Sequence, residues 1–440
     1  MQRKEHWNLS KLAKLSVCQI IAMFACVTVI IFDSPTSETL LQINRERLFI
    51  YASIYGLSFL LAGEVTGLFV NSYRNISWKR FFLAVFSSVL GSLGLVLAVW
   101  IVEFDFIGRL AVFKIVTATG IISFLFLSFQ NSLSNRNPWR VLTLLNDERV
   151  KQLKSYLGTR ADEITWVVPK ESSSESTMVK FCNEKGVEIL ILDQSNDGNS
   201  NIDLMALLAS GVRVLGVEPF VESLSQKIPS AEVDRSWLTR LDLRQRDPIV
   251  RRVKRLSDLF TATIGLILCL PILGIACLAI VLETGFPLFF HQKRTGLLGR
   301  PYILHKLRTM QKNAEQQGAE WAKKGDLRVT RVGRFLRRWR IDEIPQFWNV
   351  IKGEMSIVGP RPERPELEKE INSRLPFWMC RYLLKPGLTG WAQIRFEYAS
   401  DMESSEEKLA YDLFYIKNAS FLLDFEIMLS TLRSLTKGSR

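Results

Sequence analysis

The sequence is short of histidine, of paired cysteines and of glycine-rich phosphate loops. Only His6, His291 and His305 occur in 440 residues. That leaves too little for a histidine-rich metal centre or a conventional histidine triad, so any metal should be hard and oxygen-bound. The six cysteines, Cys18, Cys26, Cys182, Cys269, Cys277 and Cys380, include no C-x-x-C pair, and four of them fall in apolar stretches. They read as small buried hydrophobes, not as a disulfide framework or a zinc cage. Zinc-finger and RNP-like spacings are also missing, which removes the support a nucleic-acid partner would need.

What is present is a mixture. Hydrophobic residues make up 48% of the chain, charged residues reach 23%, and the net charge is +13. Such a chain joins membrane segments to soluble parts, and its length allows two or three domains. An excess of cations suits nucleic acid, an anionic lipid leaflet or phosphorylated substrates; beside long apolar runs, lipid and phosphate lead.

Four apolar runs come first, at 15–32, 48–70, 81–102 and 110–129. Each is close to the roughly 20 residues that a spanning helix needs. The first has a basic flank but is long and lacks a small-residue cleavage site, so it reads as an anchor, not a cleaved signal. Cations gather at the amino end (Arg3, Lys4, Lys11, Lys14), after the second run (Arg74, Lys79, Arg80) and after the fourth (Arg136, Arg140). The other loops carry Asp33, Glu38, Glu46, Glu103 and Asp105, diluted by Arg45, Arg47 and Arg109. Both ends of this block are therefore expected in the cytoplasm. Glu64, inside the second run, is expected to be structural or near the interface.

A fifth run, "LFTATIGLILCLPILGIACLAIVLE" (259–283), has Pro271 at its middle and basic clusters on both sides: Arg251, Arg252, Lys254 and Arg255 before, Lys293 and Arg294 after. Proline denies the helix a hydrogen bond. A broken, re-entrant helix that leaves by the face it entered keeps both clusters on one side; a kinked spanning helix is the alternative. The basic character of the carboxyl half favours re-entrance.

Between these regions, "RVLTLL" (140–145), "ITWVVP" (164–169), "VEILILD" (187–193) and "VRVLGV" (212–217) read as buried parallel strands. Amphipathic helices that end at glycine separate them. This predicts a small Rossmann-like α/β domain, but "LLNDERV" after the first strand carries no G-x-G-x-x-G, which counts against a nicotinamide cofactor. Residues 226–248 read as an irregular linker.

The carboxyl half carries the chemistry. "FFHQKRTGLLGRPYILHKLRTM" (289–310) predicts a hairpin turning at Leu298-Gly299-Arg300-Pro301, with Lys306 and Arg308 two apart on one strand face. In "RRWRIDEIPQFWNVIKG" (337–353), Phe335, Leu336 and Trp339 suggest an apolar helical stripe just upstream. Asp342 could cap the next helix, with Pro345 in its first turn and Gly353 at its end. On its own, the Asp342–Glu343 pair reads as a cap and a dipole-complementing charge. Three features move the balance: both carboxylates can reach one ligand at a helix start, arginines crowd around them, and "GPRPERP" fixes Arg361 between two prolines. An acid pair among cations suits phosphoryl transfer.

At this point the chain resembles the bacterial sugar transferases, the monotopic polyprenyl-phosphate hexose-1-phosphate transferases. The resemblance covers residues 254–435 through "KRLSDL", the proline-interrupted helix, "HQKRTG", "HKLRTM", "IDEIPQFWNVIKGEMSIVGPRPERPE", "KPGLTGWAQI" and "YDLFYIKNASFLLDFEIMLSTL". The preceding helices and α/β segment are similar to the large undecaprenyl-phosphate glucose- or galactose-phosphotransferase type. The resemblance implies that Asp342 attacks the sugar-side phosphorus of a UDP-sugar and expels UMP, and that undecaprenyl phosphate then takes the sugar phosphate from the aspartate, starting exopolysaccharide, capsule or O-antigen synthesis. Glu343 would assist through Mg²⁺ or proton handling, with Asp342 and Glu343 as the metal ligands. Lys306, Arg308, Arg361, Arg381 and Lys385 match basic positions around the phosphates, and Asp412 matches a further acid. The implied place is a bacterial cytoplasmic (inner) membrane, with the catalytic domain on its cytoplasmic face. His305 stands where tyrosine or phenylalanine is usual, Leu307-Arg308-Thr309 replaces Phe-Arg-Ser, and Leu270 precedes Pro271 where serine is common. His291 and His305 are expected to face partners or solvent.

The expected architecture is thus a membrane α-helical four-helix block (1–135), a Rossmann-like α/β domain (136–225), a linker (226–250) and an α+β catalytic domain (251–440) with a proline-broken re-entrant helix at about 256–283. A nucleotide-sugar oxidoreductase and a non-enzymatic export scaffold are the competing classes. The sequence leaves the sugar unread and a homo-oligomer open.

Overall fold

A computed structural model describes residues 15–29, 45–66, 68, 77–103, 109–134, 138–168, 175–192, 203–243, 247–312, 326, 328–396 and 402–436. The chain is mostly helical, with apolar helices at its amino end and small sheets beyond. Helix α1 covers Leu15–Val29. Helices α2 (Arg45–Thr66), α3 (Ser77–Glu103) and α4 (Arg109–Ser134) contain stretches long and apolar enough to cross a membrane. They pack on one another through Tyr51, Tyr55, Phe59, Leu95 and Ile115. Close approach depends on small residues: a Cβ on Gly91 would lie 3.0 Å from the Phe59 Cα. Phe49, Leu57, Leu61, Phe113 and Phe129 face outward, as a lipid-facing surface requires. Glu64 is exposed in the last turns of α2, which fits a near-interface position. The charges that bear on orientation at Arg3, Lys4, Lys11, Lys14, Asp33, Glu38, Arg74, Asp105 and Arg136 lie outside the described residues.

The next unit runs β1 (Trp139–Thr143), α5 (Asp147–Leu157), β2 (Ile164–Val167), α6 (Glu175–Lys185), β3 (Ile189–Leu192), α7 (Leu204–Ala209), β4 (Arg213–Gly216) and α8 (Val217–Ser225). All four strands are parallel, in the order β2-β1-β3-β4. Alternating strand residues feed two cores: Val141, Ile189 and Ile191 pack with α5 and α8, while Leu142 and Leu190 pack with α6 and α7. Asn146 and Asp203 cap α5 and α7, and Gly158, Gly186 and Gly211 leave their helices at positive φ.

Residues 228–240 of the stretch expected to be an irregular linker are instead anchored. They include α9 (Arg235–Arg240), and Ile228, Val233 and Trp237 are buried with Ile371, Leu375, Trp378, Leu409 and Leu413 of the carboxyl half. Their apolar residues are too widely spaced to announce a helix, yet Ile228, Val233 and Trp237 are each buried. Ion pairs then dock the α/β unit: Lys417 reaches Glu218 at 2.8 Å and Glu222 at 2.6 Å, and Arg149 reaches Glu232 at 2.9 Å.

The carboxyl half is built on α10, which runs from Pro248 to Thr284 without a non-helical residue. Pro271 therefore does not break the helix, contrary to expectation. A proline interrupts one hydrogen bond and crowds the preceding turn, and that is not enough to end a helix supported on both sides. At 37 residues the helix is about 55 Å long. After it come the antiparallel hairpin β5 (Phe289–Thr295) and β6 (Pro301–Leu307), α11 (Arg331–Arg338), α12 (Gln346–Lys352), β7 (Ser356–Val358), α13 (Pro365–Arg374), β8 (Gly387–Thr389), α14 (Trp391–Arg395), α15 (Met402–Asn418) and α16 (Phe421–Thr436). The hairpin turn is as predicted, with Leu298 and Gly299 at positive φ.

In α11 only part of the expected apolar stripe is buried. Leu336 and Gly333 face inward, while Phe335 and Trp339 are exposed. Gly333 decides this, because a Cβ there would collide with the Thr309 carbonyl, so that face alone can close on the chain. The core gathers Val350, Met355, Ile357, Leu384, Trp391 and Tyr415 against Ala262 of α10. Phe425 of α16 meets Phe82 of α3 edge-on at 4.7 Å, joining this half to the apolar helices.

One buried carboxylate fastens α10 to the body. Asp258 accepts from the Ser356 hydroxyl at 2.9 Å and the Ile357 N–H at 3.1 Å, and pairs with Lys254 at 3.2 Å. Lys254 also pairs with Asp424 at 2.8 Å. Replacing Asp258 with alanine leaves the buried Ile357 N–H without its acceptor and Lys254 with Asp424 alone, so Asp258→Ala should lower stability by about 1–3 kcal/mol. Thermal unfolding of the detergent-solubilised protein measures this, and an unchanged midpoint refutes the anchoring role.

Candidate active site

Three segments meet at one short turn. Asp342 and Glu343 lie in a 3-10 turn, Ile341–Glu343, between α11 and α12. Asp342 is thus not the cap of α12, as the spacing had suggested: Pro345 holds that position and makes no side-chain cap bond. The reason is Arg340, whose φ of 53° and ψ of 23° swing the chain through a left-handed step before the dyad. A non-glycine residue there costs energy and persists only where its surroundings hold it. Here the Arg340 guanidinium lies 3.4 Å from Glu343.

Both carboxylates are buried, with 7% of Asp342 and 8% of Glu343 exposed, yet their surroundings differ. Glu343 Oε1 accepts from Lys306 Nζ at 3.0 Å and from Arg361 Nη2 at 2.9 Å. Burial pushes its carboxyl up, but Lys306, Arg361 and Arg340 more than reverse this, leaving it well below the usual range. Asp342 has no hydrogen-bond partner on its carboxylate among the described residues. Burial first, and then the charge of Glu343, push it up to about 6; Lys306, Arg337 and Arg361 offset this only in part. The result is a clamped carboxylate that the cations favour as the anion, beside an unclamped one.

Lys306 arrives on β6, and Arg361 on the segment 359–364 between Pro360 and Pro362. A second layer holds that segment. The Arg361 carbonyl accepts from Arg381 Nη2 at 2.7 Å, and the Pro362 carbonyl from Arg294 Nη1 at 3.1 Å. Arg381 is fully buried, pairs with Asp412 through Nε at 2.7 Å and stacks 4.2 Å over Trp378. Glu363 pairs with Lys408 and, at 3.6 Å, with Arg294. Burial would raise its carboxyl, but Lys408, Arg381 and Arg294 bring it to about 2.

Of the residues expected at the site, the structure brings Asp342, Glu343, Lys306 and Arg361 together. It does not bring Arg308 to them. Strand β6 ends at Leu307, and the Arg308 guanidinium turns to the carboxyl end of α10, donating to Thr284 Oγ1 and the Gly285 carbonyl. Arg381 and Asp412 form a buried pair behind Arg361 instead of facing a ligand, and Lys385 belongs to a separate cavity lined by Lys352 and Tyr302. His291 and His305 face each other across the hairpin, Nδ1 to Nδ1 at 2.9 Å. Sequence reasoning left Glu363 and Lys408 without roles, used Arg294 only as a flanking charge and counted Arg340 only among the arginines near the dyad. Lys408 was readable, since it precedes Asp412 by one helical turn; the other three needed the tertiary fold.

Residues 249–438 match the family model for bacterial sugar transferases. The chain is 42% identical over 184 residues to a UDP-glucose:undecaprenyl-phosphate glucose-1-phosphate transferase of Caulobacter vibrioides, an alignment covering 41% of this chain and 69% of that protein. The chain belongs to the bacterial sugar transferase family. It is also 42% identical over 191 residues to a UDP-N-acetylgalactosamine-undecaprenyl-phosphate N-acetylgalactosaminephosphotransferase of Aeromonas hydrophila, covering 43% of this chain and 45% of that protein. A putative undecaprenyl-phosphate N-acetylgalactosaminyl 1-phosphate transferase of Bacillus subtilis is 48% identical over 124 residues, 28% of this chain and 69% of its own length. The chain therefore spans between under half and about two thirds of these relatives. Within residues 249–438, "IDEIPQ" and "GPRPERP" are the motifs that build the dyad and place Arg361.

The unequal carboxylates make a direct prediction. Carbodiimides modify protonated carboxyls, so mass spectrometry should find Asp342 labelled at pH 5 and protected as pH rises through about 6. Glu343 should stay unlabelled. In Glu343→Gln the midpoint for Asp342 should fall, because the neighbouring negative charge is gone. Half-labelling of Asp342 at the ordinary carboxylate pH in the wild type refutes the assigned asymmetry.

Proposed function

We propose that this protein is a phosphoglycosyl transferase that moves a hexose-1-phosphate from a UDP-sugar to undecaprenyl phosphate through an aspartyl-phosphosugar intermediate. The observation that carries the reading is the unclamped Asp342 carboxylate beside a Glu343 held ionised by Lys306 and Arg361. Asp342 attacks the phosphorus next to the sugar, the P–O bond to UMP breaks, and UMP leaves with that electron pair. An oxygen of undecaprenyl phosphate then attacks the same phosphorus, the bond to Asp342 breaks, and the free carboxylate returns. Lys306 and Arg361 neutralise phosphate oxygens in both steps, as cations do in phosphoryl transfer. Such a double displacement gives ping-pong kinetics from one site.

Asp342 and Glu343 would also hold Mg²⁺. The fit rests on the open carboxylate of Asp342 and on the lone pairs of Glu343 that its cations leave, with phosphate oxygens and water completing the shell. When bound, Mg²⁺ supplies charge neutralisation to the diphosphate. The residues 136–225 are read as a Rossmann-like unit without a dinucleotide role. The protein is placed in a bacterial cytoplasmic membrane, with this half on the cytoplasmic face, starting assembly of an exopolysaccharide, capsule or O-antigen.

Re-entrance of α10 is part of the same reading. Lys254, Arg255 and Asp258 at one end, and Glu283 and Thr284 at the other, bond to the same body. Asp258, Ala262, Ala276 and Ile280 are buried at turn-by-turn spacing, while Leu268, Ile275, Leu278 and Leu282 are exposed. A helix crossing the bilayer straight would drag that polar body into hydrocarbon. Bent at Pro271 without leaving helical geometry, so that it enters and leaves by one face, the helix keeps the dyad where a soluble nucleotide and a lipid phosphate can both arrive.

Two experiments test this. Purified protein given radiolabelled UDP-sugars, Mg²⁺ and undecaprenyl phosphate should release UMP and form labelled lipid, whereas Asp342→Asn should lose at least a thousandfold, an order typical for loss of a covalent nucleophile. No turnover with any hexose donor sinks the transferase reading. Cysteines introduced on both flanks of 259–283 should react only from the cytoplasmic side; labelling of one flank from each side refutes re-entrance.

A further inference from the structure

A cavity of about 520 Å³ opens beside the hairpin turn, lined among others by Arg300, Tyr302, His305, Lys352, Glu354 and Lys385. None of Asp342, Glu343, Lys306 or Arg361 lines it. Its size is that of a small-molecule site. Three cations face it against one carboxylate, and that carboxylate is already engaged, since Glu354 Oε2 accepts from the Asn349 amide at 2.6 Å.

Lys385 is the unusual member. It is half-buried, and its amine has neither an ion pair nor a hydrogen bond among the described residues. Its charged company is two cations, Arg255 and Lys254, and one carboxylate, Asp258. A Cβ on Gly353 would lie 3.3 Å from Arg255 Nη2 and 3.6 Å from Lys385 Nζ, so both cations border one small space that the glycine, at φ 87°, leaves open. Arg255 is occupied: its two terminal nitrogens hold the Val350 and Ile351 carbonyls at the end of α12. Burial, with Arg255 and Lys254 adding to it, pulls the Lys385 amine below its ordinary range. An ammonium removed from water normally gains an anion in exchange. The carboxylate that acts on Lys385, Asp258, is already shared by Lys254, the Ser356 hydroxyl and the Ile357 N–H, and it makes no ion pair with Lys385.

We propose that this cavity binds a phosphate group, seated between Lys385, Lys352 and Arg300, as a second anion site apart from the dyad. The walls suit a ligand with an apolar part: Leu297, Leu298, Pro301, Ile303 and Tyr302 line it, and Leu298 and Ile303 are 66% and 49% exposed. Such a phosphate can come from a lipid headgroup or from a soluble nucleotide. Both are within reach, since Arg255 sits on α10, whose Leu256 and Phe260 are exposed on the apolar side. The site does not depend on the transfer chemistry.

The test uses the full chain with Asp342→Asn as background, so that nothing turns over. One arm titrates UMP into detergent-solubilised protein by calorimetry. The other measures thermal stabilisation in phosphatidylcholine nanodiscs with and without phosphatidylglycerol. Lys385→Met should weaken one of the two responses about tenfold or more, the value of a charged hydrogen bond, and Lys385→Arg should keep it. Loss in the UMP arm assigns a nucleotide, and loss in the lipid arm assigns a headgroup. If Lys385→Met misfolds, Arg300→Met combined with Lys352→Met, both exposed positions, gives the same readout. Unchanged responses in both arms overturn the site.

Discussion

Three cations from three separate parts of the chain converge on the carboxylate of Glu343, and the active half is arranged around that convergence. Lys306 comes from the hairpin, Arg340 from the turn after α11 and Arg361 from between two prolines. A carboxyl buried to this depth would otherwise favour its neutral form, and cations buried nearby would lack a counter-charge. Each segment is therefore held in place partly by the charge the others surround. The left-handed Arg340 and the second layer behind Arg361, made by Arg381, Asp412 and Arg294, are the local adjustments that let the three meet.

The consequence for chemistry is a separation of two neighbouring carboxylates that the sequence writes side by side. Glu343 takes the cations and stays ionised; Asp342 takes the burial and the neighbour's repulsion and rises. Two adjacent acids with opposite shifts suit the division into fixed charge and reacting group that the proposed mechanism asks for. The division follows from which side of the turn the cations enter. It does not need any difference between aspartate and glutamate as such.

Much of this was legible before any coordinates. The parallel strands, their glycine-terminated helices and the hairpin turn follow from local pattern, because period and turn chemistry act over a few residues. The dyad and Arg361 were legible because prolines and clustered cations are rare and positioned. What failed was of two kinds. Arg308 was placed with Lys306 by strand alternation, but the strand ends one residue earlier and its side chain serves the end of α10. Arg381 looked like a phosphate ligand because its charge is visible in the sequence, whereas its burial against Asp412 and Trp378 is a tertiary fact. The anchoring of 228–237 was invisible for the same reason: single apolar residues gain meaning only from the pocket that receives them.

Helix α10 has to satisfy two environments at once, and its sequence shows how. Residues one helical turn apart, Asp258 and Ala262, then Ala276 and Ile280, are buried and face the protein, Asp258 through its bonds to Lys254, Ser356 and Ile357. Between and around them the side chains are large, aliphatic and exposed. The same helix is thus a core element on one face and a lipid-facing surface on the other, with its charged ends bonded back to the body. Pro271 fits into this scheme without ending the helix, since protein packs on both sides of it along one face. A body fastened near both ends of one apolar helix is held at a nearly fixed distance from it, and the dyad, one layer away through α11 and α12, is held at that distance too.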